Sequence, residues 1–166
     1  MSQVLCRHAG VRIITNDLNA YEADYHDDAT REEGWLGFDY AAQRYFRDRI
    51  AWTVTNPPFK HADEVLHLAY KYSAEGVAML LRLSYLEPLR SDKRQAHTQF
   101  LVEHPPNVLI NLPRMSFTND GGTDSVIASW MVWYKSQLAP ARIIVVPEEK
   151  ATVGVPTLNE AEALSL

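Results

Sequence analysis

The sequence predicts an α/β domain, and three observations predict it. Short runs rich in Val, Ile, Leu and aromatic residues alternate along the chain with stretches of helical periodicity. A parallel crossover between strands needs a helix-length connection, so this alternation implies a largely parallel sheet covered on both faces. The composition agrees, because 166 residues of which 46% are hydrophobic and 22% charged suit one ordinary core.

Each element has its own local reason. The first candidate strand is 11–15, Val-Arg-Ile-Ile-Thr, closed by Asn16 and Asp17. A helix is expected from Asp39, a capping residue type, with Phe38 placed to staple its start and Ala41, Ala42, Tyr45 and Phe46 recurring at three and four. The next strand is 51–55. From 61 to 72, Ala62, Val65, Leu66, Ala69 and Tyr72 make one apolar stripe, with Gly76 placed to stop the helix. Further strands are expected at 77–84, 107–112, 126–134 and 142–146. The link between the last two is short and runs through Pro140, which predicts an antiparallel hairpin at the carboxyl end of the sheet. Residues 1–147 are read as the domain and 148–166 as an acidic tail outside the core.

Several classes are disfavoured. The apolar stretches fall short of the roughly 20 residues that a membrane span needs, and 1–12 lacks the apolar region of a signal peptide, so a cytoplasmic location is expected. One cysteine, Cys6, excludes an intramolecular disulfide and a zinc site of several thiolates. A net charge of −5 gives the whole chain no general attraction for nucleic acid, so any such contact must come from local basic clusters. No metal site is expected: His61 and His67 stand six apart with Glu64 between them, and that spacing does not put two imidazoles on one helix face. Phosphate-binding loops and nucleophile elbows are absent from the sequence.

The chemistry-bearing segment is Asn56-Pro57-Pro58-Phe59, between the strand 51–55 and the helix that follows. In an open α/β sheet the carboxyl end of a strand is where ligands bind. Two consecutive prolines fix φ and remove two donors, leaving rigidly aimed carbonyl acceptors, and Asn56 adds a side-chain carbonyl. Two acceptors aimed at one point suit an amino group with two hydrogens to donate. Phe59 offers a flat face for an aromatic ring. The combination fits a purine amine, against the plainer reading of an ordinary strand-to-helix turn.

With its neighbour, Thr55-Asn56-Pro57-Pro58-Phe59 resembles the target-base motif of S-adenosylmethionine-dependent amino-methyltransferases, chiefly the DNA adenine (N6) methyltransferases of phages and restriction systems. The resemblance covers about 4–135 and implies a Rossmann-like class I methyltransferase sheet, mostly parallel, with an antiparallel pair at its end. It implies catalytic roles for Asn56, Pro57, Pro58 and Phe59. It also implies that Asp17, at the end of 11–17, binds the ribose hydroxyls of S-adenosylmethionine. Asp28 resembles the acid that reads the cofactor adenine, with Asp27 its rival one step away. The segments 77–87, 112–117 and 129–133 are similar to the strands that complete the family's sheet. The partner so implied is DNA with a flipped adenine. Phosphate contacts fall on the basic stretch Arg82, Arg90, Lys93 and Arg94 and on Arg114 in the next loop, with a solvated helix face as the plainer reading.

One part of the family pattern is not matched. A first strand and glycine-rich turn, against which the methionine end of the cofactor would sit, has no counterpart before 11–15, where Gly10 stands by itself. The expectation is a domain truncated at its first strand; a piece supplied by another chain and direct closure of the gap are the alternatives. The functional readings are correspondingly three: methyl transfer to adenine in DNA, a non-catalytic remnant with little or no cofactor binding, or the same chemistry on RNA or protein glutamine.

Overall fold

The computed structural model describes residues 12–19, 22–46, 48–87, 95–113, 127–135 and 142–145. Their elements are α1 (Glu32–Ala41), β1 (Trp52–Thr55), α2 (Ala62–Tyr72), β2 (Gly76–Arg82), α3 (Gln95–Glu103), β3 (Val108–Asn111), β4 (Ala128–Tyr134) and β5 (Arg142–Val145). The five strands form one sheet in the order β1-β2-β4-β3-β5, so the α/β class holds. The sheet is mixed. The chain divides into two compact units, Met1–Ala78 with Tyr134–Gln137, and Met79–Trp133 with Leu138–Leu166.

In the first unit the amides of Ala74, Glu75 and Gly76 donate to the carbonyls of Ile50 and Ala51, so β1 and β2 start side by side and α2 carries the crossover between them. The stripe foreseen on α2 is its buried face: Ala62, Val65, Leu66, Ala69 and Tyr72 are all buried. The helix stops at Ser73, whose backbone turns extended, three residues before Gly76. Gly76 instead opens β2.

α1 departs from expectation. It begins at Glu32 rather than at Asp39, buries Gly34, Trp35, Phe38 and Ala41, and passes into a π turn over Ala42–Phe46. Gly34 and Gly37 depress helix propensity and hide this start in the sequence. Burial of two large aromatics outweighs that penalty. Trp35 stacks on Tyr72 with ring centroids 6.2 Å apart, and Phe38 meets Tyr25 edge-on at 5.4 Å. Asp39 therefore lies within the helix, accepting a hydrogen bond from the Gln43 amide at 2.7 Å.

The strand expected at 11–15 is not a strand over 12–15; the ladder is reduced to one parallel bridge, Asn16 with Tyr25. Polar side chains hold the two segments instead. The Thr15 amide and hydroxyl both donate to Asp24 Oδ2 at 2.7 Å. Asn16 bonds the Asp27 backbone twice, accepting from its amide at 2.9 Å and donating to its carbonyl at 3.0 Å.

In the second unit Met79, Leu81, Met131 and Trp133 are fully buried, and the Trp133 indole donates to the His104 carbonyl at 2.9 Å. The Leu83 amide donates to the Ile127 carbonyl, which puts the end of β2 against the start of β4 and makes the two antiparallel. β4 is antiparallel to β3 as well, with Leu109 opposite Met131. β5 lies parallel to β3, with Leu109 opposite Ile143. The expected hairpin between β4 and β5 does not form. β3 lies between them, because its amides and carbonyls serve one strand on each side and a seven-residue link is long enough to step over one strand. The antiparallel pair at this end is β3 with β4, which joins the segments near 107–112 and 129–133. α3 was not foreseen; it buries His97 and Phe100. The tail 148–166 lies outside the described residues.

Candidate active site

The four motif residues follow β1 directly, in the turn that leads to α2. Asn56 is exposed, Pro57 is buried, and Pro58 and Phe59 are exposed. This burial pattern follows from the chain: the Pro57 ring packs inward and anchors the turn, while the residues on either side of the proline pair face water. A 3-10 turn over Phe59–His61 then starts the helix.

The backbone acceptors of the turn have different fates. The Pro58 carbonyl is occupied by the His61 amide at 2.9 Å. Among the described residues, neither the Asn56 side chain nor the Pro57 carbonyl takes a hydrogen-bond partner. Phe59 keeps 38% of its surface exposed. The turn thus leaves unengaged the two acceptors that an amine would need, and commits the one it would not.

The acids singled out as cofactor ligands lie in the same unit. Asp17 is exposed, and its Oδ1 accepts the Asn19 amide at 2.9 Å in an Asx turn. Its carbonyl meets the His26 ring at 3.0 Å. Asp28 is partly exposed, and its Oδ1 accepts both the hydroxyl and the amide of Thr30, at 2.7 and 2.9 Å. Its other oxygen faces Arg31 at 3.5 Å. The Thr30 hydroxyl, then its amide, hold the Asp28 carboxyl below the ordinary aspartate range; the charges of Arg31 and His61 push the same way. His61 closes the turn that Phe59 opens. Asp27, the rival, is exposed and bonds Asn16 through its backbone.

As acceptors, an exposed carboxylate at 17 and a partly exposed one at 28 fit in kind what ribose hydroxyls and an adenine amine require. The other requirement, a close backbone approach at glycine, is not met among the described residues, whose glycines lie in α1 and at the start of β2.

Of the residues assigned to DNA phosphates, Arg82 stands exposed at the end of β2 in the second unit. Arg90, Lys93, Arg94 and Arg114 lie outside the described residues. His67 Nδ1 is turned to the Asp63 carbonyl at 2.6 Å. No group of three or more metal-ligating side chains occurs among the described residues, and no helix among them is long and apolar enough to cross a membrane.

Sequence reasoning missed Thr15, Asn16 and Asp24, which hold the acid loop together. The Thr15 amide, then its hydroxyl, hold the Asp24 carboxyl low. A polar pair nine residues apart has no periodicity to betray it. Also missed was Glu32, which accepts from Lys71 and from the Tyr72 hydroxyl and so pins the start of α1 to the end of α2.

No protein-family model matches the chain, and no curated protein matches it. Among solved structures it is similar to a modification subunit of a putative type I restriction enzyme from Vibrio vulnificus, at 18% identity and a TM-score of 0.41. That likeness covers 61% of this chain and 27% of the other. A likeness of this size lends no weight to a functional assignment, which rests on the site.

Proposed function

We propose that the chain transfers the methyl group of S-adenosylmethionine to the exocyclic amine of adenine in DNA. The observation that carries this reading is the pair of unengaged acceptors, Asn56 Oδ1 and the Pro57 carbonyl, beside an exposed phenyl ring at the carboxyl end of a sheet strand. Asn56 and Pro57 would each accept one amine hydrogen, which raises electron density on the nitrogen and aims its lone pair. Phe59 would hold the base by stacking, an interaction worth ~1–3 kcal/mol per base. A sulfonium-bound methyl is the electrophile the cofactor supplies when bound. With that cofactor held by Asp17 and Asp28, the amine nitrogen would gain the methyl as the carbon–sulfur bond broke, and the surplus proton would pass to water. Asp17 and Asp28 would hold the ribose hydroxyls and the adenine of the cofactor. Positioning carries most of the rate, with no covalent intermediate on the protein.

The decisive experiment supplies methyl-labelled S-adenosylmethionine with DNA, RNA and protein acceptors. Label entering adenine in DNA, and lost in Asn56→Ala, is the expected result; label confined to protein would overturn it.

A second reading, a remnant that keeps the outline without the cofactor, is favoured by one observation. Both oxygens of Asp28 already face local partners, Thr30 and Arg31. Calorimetric titration separates the two, since saturable binding of S-adenosylmethionine rules the remnant out.

A further inference from the structure

We infer that Lys60 is a positioning residue that grips a phosphate of a DNA acceptor beside Phe59; the inference rests on the nucleic-acid reading of the motif. Among the described basic side chains of the first unit, four are committed within it. Arg31 faces Asp28, Lys71 bonds Glu32, Arg44 donates to the Tyr40 hydroxyl at 3.0 Å, and Lys135 donates to the carbonyls of Tyr70 and Ser73. Lys60 is exposed, and among the described residues it makes no hydrogen bond or ion pair. Glu64 stands one turn along α2, at the spacing where an ion pair would form, yet none forms.

Its place in the chain makes this lysine more than a solvated surface charge. It follows Phe59 directly, within the 3-10 turn that the bond from the His61 amide to the Pro58 carbonyl holds in shape. Lys60 and Phe59 are consecutive in that turn, so a nucleotide whose base met the Phe59 ring would bring its backbone to the same stretch of chain. Asp28 of the acid loop is engaged by Thr30 and Arg31. A protein acceptor would bring no phosphate to this point, so Lys60 favours nucleic acid over protein at the site.

The test is binding of the full chain to a labelled DNA duplex by anisotropy across a range of salt. Each phosphate contact contributes about 0.9 to the slope of log affinity against log salt. Lys60→Ala is expected to bind more weakly, with a slope shallower by about that amount. In Lys60→Ala KM is expected to rise while kcat at saturating DNA stays unchanged, and Lys60→Arg is expected to restore both slope and KM. An unchanged slope in Lys60→Ala, a loss that Lys60→Arg does not rescue, or a wild-type chain that does not bind duplex would each overturn the inference. Binding needs no methyl transfer, so a chain that binds through Lys60 but leaves adenine unmethylated would defeat the adenine reading and leave the phosphate grip standing.

Discussion

Asn56 separates stability from chemistry. Its side chain is exposed and bonds nothing among the described residues, so the fold gains little from it. Asn56→Ala is expected to leave the denaturation midpoint within the range of an ordinary surface change, about ±0.5 kcal/mol. By the proposed chemistry, methyl transfer should fall by about a hundredfold or more, as when one preorganised hydrogen-bonding group is removed from other active sites. Equal loss of both would make the residue structural. Phe59→Ala tests the other half of the cradle: acceptor binding should weaken by ~1–3 kcal/mol with kcat less affected. These residues were legible in the sequence because a proline pair dictates its own backbone, whatever surrounds it. Lys60 was not. A lysine has meaning only through what it fails to pair with, and pairing is decided by residues such as Asp28 and Glu64 that local pattern does not place.

Between elements, the tightest constraint lies where α1 meets the acid loop. A methyl at Gly34 would stand 3.0 Å from Asp27 Cβ and 3.4 Å from the Asp28 carbonyl, so the loop must move to admit it. Gly37 faces open space. Gly34→Ala should therefore destabilise by ~1–3 kcal/mol, in the manner of overpacking. Gly37→Ala should stabilise by roughly 0.5–1 kcal/mol, because alanine favours the helix and nothing obstructs it. Urea denaturation of the two variants checks both signs, and a stable Gly34→Ala would show that the loop yields freely. α1 itself was misread from the sequence for the same reason: glycines that allow close approach look like helix breakers until the surface they approach is known. α2 was legible along its whole buried face, since a stripe at three and four needs no knowledge of its partner. The segment 12–15 looked like a strand because β-branched residues mark strand propensity, but a strand also needs a neighbour. The side chains of Thr15 and of Asn16 beside it instead accept from the amides of Asp24 and Asp27, taking bonds that a ladder would have made.

Over the whole molecule, beyond the segment 12–15, strand positions were legible and strand partners were not. The apolar runs that became β1 to β5 announce themselves locally. That β3 would lie between β4 and β5 depends on contacts far apart in sequence, and a short link alone wrongly suggests a hairpin. The distribution of charge has a similarly long-range consequence. Asp24, Asp28 and Glu32 all have carboxyl pKa values lowered by hydrogen bonds, from Thr15, Thr30 and Lys71 respectively. A carboxyl that is lower folded than unfolded contributes stability above its unfolded value, roughly 4, and loses it as pH falls through the folded value. On the alkaline side, the bond to Glu32 raises both Lys71 and Tyr72. Groups raised on folding contribute stability below their unfolded values, roughly 10, and lose it as pH rises through the folded ones. Urea midpoints should therefore hold a plateau between about pH 5 and 9 and fall on either side. Glu32 belongs to both arms, since it is itself lowered and is the cause of the raised pair. Glu32→Gln should flatten the acid and alkaline flanks together, whereas Asp28→Asn should flatten the acid flank without touching the alkaline one. A Glu32→Gln profile that parallels the wild type on both sides would mean that the bond from Lys71 and Tyr72 to Glu32 does not hold α1 to α2 in solution.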